Sequence, residues 1–186
     1  TAYNLSSFLA SRNKKVVLIG TDIRNPDLSK LFDKKKPNHK GLTNIINDDK
    51  NDFKELFKKY KITYNQLDTL FVGTESTKRI NIFDSEKFDN LISYLKKKYD
   101  YVIFDTAPIL FMVDSLELLE KSDYVIHVFR KNFSPKRVVN YVLDYKEKYK
   151  PKNIGYVITD DSKPDKFIDK YGYGYGYGYG YGYGVS

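Results

Sequence analysis

The chain has no cysteine, which excludes a disulfide framework and a thiolate zinc site and suits a reducing compartment. Its two histidines, His39 and His127, form no spaced pair. Neither a histidine metal cluster nor a Ser-His-Asp arrangement can be built from them, and His127, inside an apolar run, reads as a core or edge residue. Long apolar runs are missing too. The longest, Ala107 to Val113, falls far short of the about 20 residues that a membrane span needs. Glycine is scarce where a fold would use it: residues 1–170 hold only four, whereas Tyr171 to Gly184 alternates seven tyrosines with seven glycines.

What remains is 186 residues, enough for one domain. A chain of this size buries roughly 70% of its unfolded surface. The organisation expected is a folded domain over residues 1–168 and a flexible tail over 169–186, because Tyr-Gly repeats carry no aliphatic residue and maximal chain entropy. Thirty-two Lys and Arg against 24 Asp and Glu give a net charge of +8. That excess is compatible with nucleic acid, an anionic membrane surface or a polyphosphate. The groups Lys34-Lys35-Lys36 and Lys96-Lys97-Lys98 read as solvated loop or helix ends. No basic row is interleaved with aromatics as single-strand binding requires, so no nucleic-acid partner is expected.

Apolar periodicity sets out alternating helices and strands. Ala2, Leu5, Phe8 and Leu9 fall near one helical face, and Val16-Val17-Leu18-Ile19 is a strand apolar on both sides. A basic loop with Pro37 and Gly41 follows, then a helix from Asp52 to Tyr60 and a short strand at Leu70-Phe71-Val72. Asp84-Ser85 caps a helix with Phe88, Leu91, Ile92 and Leu95 on one face and three lysines at its negative end. Tyr101 to Phe104 is a second buried strand. A helix from about Ser115 to Glu120, a strand from Tyr124 to Phe129, a helix from Pro135 to Tyr149 and a strand from Ile154 to Ile158 complete the series. The pattern specifies an α/β domain of about five strands, mainly parallel, with helices on both faces.

Ligands bind such sheets at the carboxyl ends of the strands. Val16 to Ile19 leads through Gly20 and Thr21 to Asp22, and Tyr101 to Phe104 leads into Asp105, so both carboxylates face one crevice. A carboxylate on a rigid strand end can hold Mg²⁺ beside phosphates. Alternatively, Asp105 caps the loop that follows it.

Together the two segments carry a resemblance. Val16 to Pro26 resembles the Walker A-prime motif of the bacterial tyrosine kinases of capsule and exopolysaccharide export, and Tyr101 to Pro108 resembles their Walker B. Gly41-Leu42-Thr43-Asn44, Asp114-Ser115, Ser122-Asp123-Tyr124-Val125 and the C-terminal tyrosine cluster extend the likeness over essentially the whole chain. The resemblance implies a P-loop NTPase-like, three-layer α/β/α fold and an ATP- and Mg²⁺-dependent protein tyrosine autokinase. It places Asp22 and Asp105 at the metal and the attacking hydroxyl, and Arg24 near the phosphates or a subunit contact. Tyr171, Tyr173, Tyr175, Tyr177, Tyr179, Tyr181 and Tyr183 are then the phosphoacceptors of a neighbouring subunit. It further implies a ring-like homo-oligomer, a fused or separate transmembrane polysaccharide co-polymerase, a cognate tyrosine phosphatase, and a place at the cytoplasmic face of the inner membrane.

Three departures stand against the family pattern. Gly20 occupies the position of the first aspartate of Asp-x-Asp-x-Arg. No glycine is followed by Lys-Ser or Lys-Thr, so the phosphate-binding loop is expected ahead of Thr1, and residues 1–186 alone are expected to be inactive. The family's loop before the Asp84 helix is replaced by Ser76 to Asn81, and its asparagine after the last strand by Thr159 or Asp160. Two other readings fit the residues: a partitioning-type ATPase, which needs no tyrosine cluster, and a non-catalytic adaptor phosphorylated by a separate kinase. Asp114 reads either as a partner of the metal site or as a helix N-cap.

Overall fold

The computed structural model describes residues 1–23, 25–32, 39–48, 52–74, 82–108, 114–150 and 153–160. Helix α1 (Ala2–Ser11) leads into strand β1 (Val16–Gly20), which is buried along its whole length. A 3₁₀ turn (Asp27–Leu31) and helices α2 (Leu42–Asn47) and α3 (Phe53–Tyr60) follow, then strands β2 (Ile62–Tyr64) and β3 (Leu67–Leu70). Helix α4 (Glu86–Lys98) precedes strand β4 (Tyr101–Asp105), and α5 (Asp114–Glu120), β5 (Val125–Arg130), α6 (Lys136–Tyr149) and β6 (Ile154–Thr159) complete the order.

The caps behave as the residue types demand. The Ser85 hydroxyl accepts from the Phe88 N–H at 3.2 Å, and Asp52 Oδ1 accepts from the Glu55 N–H at 3.0 Å. Phe88, Leu91, Ile92 and Leu95 are all buried.

Strand β1 lies between β3 and β4, parallel to both, in the order β2-β3-β1-β4. Alternate side chains serve two cores. Val17 and Ile19 pack with Phe57, Leu70, Phe88 and Leu91, whereas Val16 and Leu18 pack with Ala10, Leu67 and Phe71 under α1. Helices therefore cover both faces of this sheet.

Four details differ from the expectations. Helix α1 buries Ser6 and Ala10 while Leu5 and Phe8 stand exposed, because Ser6 Oγ donates to the Ala2 carbonyl at 2.8 Å and small side chains allow close approach to the sheet. Strand β2, unforeseen, runs antiparallel to β3 through a tight turn in which Asn65 and Gln66 both take positive φ. Strand β3 covers 67–70 and not 70–72, since the Phe71 and Val72 carbonyls accept from the Leu42 and Thr43 N–H groups at 2.8 and 2.7 Å. That docking makes a helix, α2, of part of the expected loop.

The fourth concerns continuity. There are six strands among the described residues, and β5 and β6 form their own parallel pair with no ladder to β4. Helix α6 covers one face of this pair through Val142 and Tyr145, while Ile126 and Val128 on the other face are exposed. Val125 and His127 point inward and are buried.

His127 stacks on Tyr156, meets Tyr145 edge-on, and has no hydrogen-bond partner at Nε2 among the described residues. Burial holds its pKa below the usual histidine range. A base whose pKa is depressed in the folded state costs no stability while neutral, and stability falls as pH drops below its unfolded value, about 6.5, because the unfolded chain takes the proton first. Urea midpoints at about pH 7.5 and about pH 5.5 should therefore drop more on acidification for the native chain than for His127→Leu, which cannot titrate.

Among the described residues no helix is long and apolar enough to cross a membrane.

Candidate functional site

The ends of β1 and β4 are register partners, Gly20 opposite Asp105. Thr21 locks them together: its N–H and its hydroxyl both donate to the Asp105 carbonyl, each at 2.9 Å. Asp22 follows at once. Its Oδ1 accepts from the Asn25 N–H at 2.9 Å, closing the chain into a turn, and Asn25 Nδ2 donates to Asp27 Oδ2 at 2.9 Å. The structure thus brings Asp22 and Asp105 to one crevice, as the sequence pattern specifies, and adds Asp27.

The electrostatics of the crevice favour positive charge. Burial pushes the Asp105 carboxyl above the usual carboxylate range, and Asp22 and Asp27 push it further. A partly buried carboxylate with two further acids beside it forms a place where a cation is favoured. Among the described residues no group of three His, Cys, Asp or Glu converges as a ready-made metal cage. Mg²⁺ does not need one, because it is held through one or two carboxylates with water and substrate phosphates. The oxygen donors present fit that requirement.

Helix α1 returns along β1, joined to it by residues 12–15 and packed on β1 and β4, with Ala2 and Tyr3 of its first turn against the Phe71 cluster at the exit of β3. Its N-terminal end therefore lies on the crevice side, with the first-turn amides unpaired inside the helix and the dipole positive there. Such an end favours phosphate. Cation-holding carboxylates and anion-holding amides therefore share one opening.

A rigid clamp supports the crevice from the β3 side. Asn44 Oδ1 accepts from the Gly41 N–H at 2.9 Å and from the Thr74 N–H at 3.3 Å. A Cβ on Gly41 would lie 2.0 Å from the Phe71 carbonyl oxygen, and Gly73 sits at φ +102°. The Gly41-Leu42-Thr43-Asn44 segment is thus a backbone knot that fixes the exit of β3 beside that of β1. Gly41→Ala should cost about 3 kcal/mol or more in urea unfolding, since backbone and not a flexible side chain must move.

Gly20 has its own constraint. A Cβ there would lie 3.3 Å from Leu28 Cδ2 and 3.4 Å from the Val72 nitrogen. Val72 is held by the knot, so an aspartate at position 20 would have to displace Leu28. Beside it is a small cavity lined by Pro26, Leu28, Ser29, His39, Phe71, Val72 and Gly73. His39 stacks on Phe71, with ring centroids 5.0 Å apart.

Arg24 and the seven tail tyrosines lie outside the described residues, as does the boundary between 168 and 169. Asp114 is the first residue of α5. Sequence reasoning missed Thr21 and Asp27. The signal for Asp27 was the Asn25-Pro26-Asp27 turn composition, which marks side-chain-to-backbone bonding; Thr21 carried no signal, because its role depends on the β1–β4 register.

A family model described as the AAA domain matches residues 1–152. The tyrosine-protein kinase CpsD of Streptococcus pneumoniae is 30% identical over 175 residues, covering 92% of this chain and 73% of that protein. The chain belongs to the bacterial tyrosine kinase family. In three dimensions it is similar to the kinase domain of VpsO, with a TM-score of 0.74 at 26% identity over 84% of this chain and 75% of the other. A ParA family ATPase from Chlorobium tepidum superposes with a TM-score of 0.65 at 22% identity, covering 84% of this chain and 66% of that one, which shows the shared P-loop NTPase fold alone. Membership in the kinase family gives the paired strand-end aspartates and the tyrosine segment a common context.

Proposed function

We propose that this protein is an ATP-dependent tyrosine autokinase that transfers phosphate to the C-terminal tyrosines of a neighbouring subunit. The observation that carries the reading is the convergence of Asp22, Asp105 and the N-terminal end of α1 in a chain that also bears seven tyrosines between Tyr171 and Tyr183. Bound Mg²⁺ would neutralise charge on the phosphates. Asp105, disfavoured as a buried anion, gains most from such a cation and is the carboxylate on the metal side. Asp22, on the loop, orients the acceptor phenol and receives its proton as the phenolate oxygen bonds to the γ-phosphorus and ADP leaves with the bridging oxygen. Arg24, two residues on, serves the phosphates or a subunit contact.

Strand β6 ends at Thr159, and eleven residues separate it from Tyr171. At about 3.3–3.6 Å per residue, that length can reach across a subunit boundary. Glycine follows each of the seven tyrosines and precedes all but Tyr171, which limits steric hindrance at an active site. The kinase, ring-forming and acting with a transmembrane co-polymerase at the inner membrane, would regulate capsular or exopolysaccharide export, and a tyrosine phosphatase would reset it. A partitioning-type ATPase shares the fold but gives the tyrosines no purpose.

Calorimetric titration of the protein with its native flanking sequence should show ATP binding that strengthens at least about tenfold with Mg²⁺. Equal affinity with and without Mg²⁺ would remove the metal from the site. No ATP binding at all would make the chain an adaptor phosphorylated by another kinase.

A further inference from the structure

The structure sorts the chain's charge by direction. The three aspartates of the crevice lie at the carboxyl ends of β1 and β4, and the opposite end of the molecule is rimmed by cations. Arg12, Lys14 and Lys15 join α1 to the start of β1, and all are exposed. Lys96, Lys97 and Lys98 form the last turn of α4. These two groups meet, because the Lys15 N–H donates to Asp100 Oδ2 at 2.9 Å and the Asp100 N–H returns to the Lys15 carbonyl at 2.8 Å. The rim continues into the second sheet: Lys96 pairs with Asp123 at 3.0 Å, and Asn153 Nδ2 donates to the Asp123 carbonyl at 3.0 Å. Asn153 follows the end of α6, where Lys146, Lys148 and Lys150 are exposed.

Nine exposed cations therefore share one face with four acids, Asp100, Glu120, Asp123 and Glu147. Helix dipoles account for some of these lysines. They account for Arg12, the C-cap of α1, but not for Lys14 and Lys15, which lie beyond that cap. The same face exposes three tyrosines at the starts of β4 and β5 and the end of α6: Tyr101, Tyr124 at 74% and Tyr149. Lysines around amphipathic aromatic rings suit a layer of anionic headgroups over acyl chain, where the phenol sits at the polar boundary and the cations meet phosphate. The cations come from separate helix ends and a strand entry, so no one element offers a track for a single strand of nucleic acid.

We infer that this face is a docking surface for an anionic phospholipid bilayer, which would turn the Asp22–Asp105 crevice away from the membrane. Flotation of the chain with phosphatidylcholine vesicles containing phosphatidylglycerol, at low salt, should show binding that pure phosphatidylcholine does not support and that moderate salt removes. Lys14→Glu with Lys97→Glu should weaken it about a hundredfold. Lys136→Glu with Arg137→Glu, the same charge change in the first turn of α6 at the opposite end, should weaken it far less, with circular dichroism confirming that both variants fold. The inference is overturned if phosphatidylglycerol vesicles do not bind, or if both double variants lose binding equally, which would make it an effect of net charge. It is also overturned if short duplex or single-stranded DNA at equal phosphate concentration binds more tightly than the vesicles, which would assign the face to nucleic acid.

Discussion

Replacing Asp105 by Asn should make the protein a worse enzyme and a more stable fold at once. Phosphate transfer to tyrosine should fall by about 10²–10⁴-fold, because the carboxylate on the metal side is lost. The midpoint of thermal unfolding at neutral pH should nevertheless rise by about 2–4 °C, the shift that ~1 kcal/mol gives in a domain of this size. The sign follows from the direction of the pKa. Burial, Asp22 and Asp27 raise the Asp105 pKa above its unfolded value, so its ionisation opposes folding once pH exceeds that unfolded value. An amide of the same shape keeps the strand end and removes the charge. Mg²⁺ with nucleotide should then raise the midpoint of the native protein and not that of the variant, since only the native site binds the pair productively. A drop in stability for Asp105→Asn would mean that the carboxylate serves the fold, as a loop cap, and not the reaction.

Full phosphorylation of the tail should take apart the homo-oligomer proposed for this protein. Each phosphotyrosine adds about −1.5 to −2 charges, so seven bring roughly −10 to −14 against a formal +8. The chain passes from basic to acidic, and a tail that docked on a neighbour by charge is repelled by the other phosphorylated tails. Light scattering should report loss of the oligomer on phosphorylation at low salt, and a smaller effect at moderate salt because the interaction is screened. Tyr→Phe at all seven positions should leave the oligomer intact under the same treatment. An unchanged scattering mass after phosphorylation would separate tail modification from assembly.

The crevice was legible in the sequence because it rests on two apolar runs that each end in a carboxylate. Val16 to Ile19 is buried along its length, whereas Tyr101 to Phe104, expected to be buried as well, lies at the edge of the four-stranded sheet, half-buried and with Tyr101 exposed; their parallel pairing still places Asp22 and Asp105 together. Helices α3 and α4 were equally legible, since Asp52 and Ser85 cap them and their apolar residues repeat at helical spacing. Strand β2 was hidden because Asn65-Gln66 lacks the glycine that marks most two-residue hairpin turns. Helix α2 was hidden for another reason: its first-turn amides are satisfied by the Phe71 and Val72 carbonyls, a contact made 29 residues away along the chain from Leu42 to Phe71. The buried face of α1 was misassigned because apolarity is only one way to be buried. Ser6 is buried by satisfying its own hydroxyl, while Leu5 and Phe8 face outward.

The central claim, that the Asp22–Asp105 crevice of one subunit phosphorylates the tail of another, is tested most directly by mixing two variants of the protein with its native flanking sequence. One carries Asp105→Asn and all seven tail tyrosines; the other keeps Asp105 and has phenylalanine at 171, 173, 175, 177, 179, 181 and 183. With MgATP, intact mass should show phosphate only on the Asp105→Asn partner, mapped between Tyr171 and Tyr183, and neither variant should gain phosphate alone. Phosphate on the Asp105→Asn variant by itself, or on neither chain in the mixture while the unaltered protein is modified, would contradict the account.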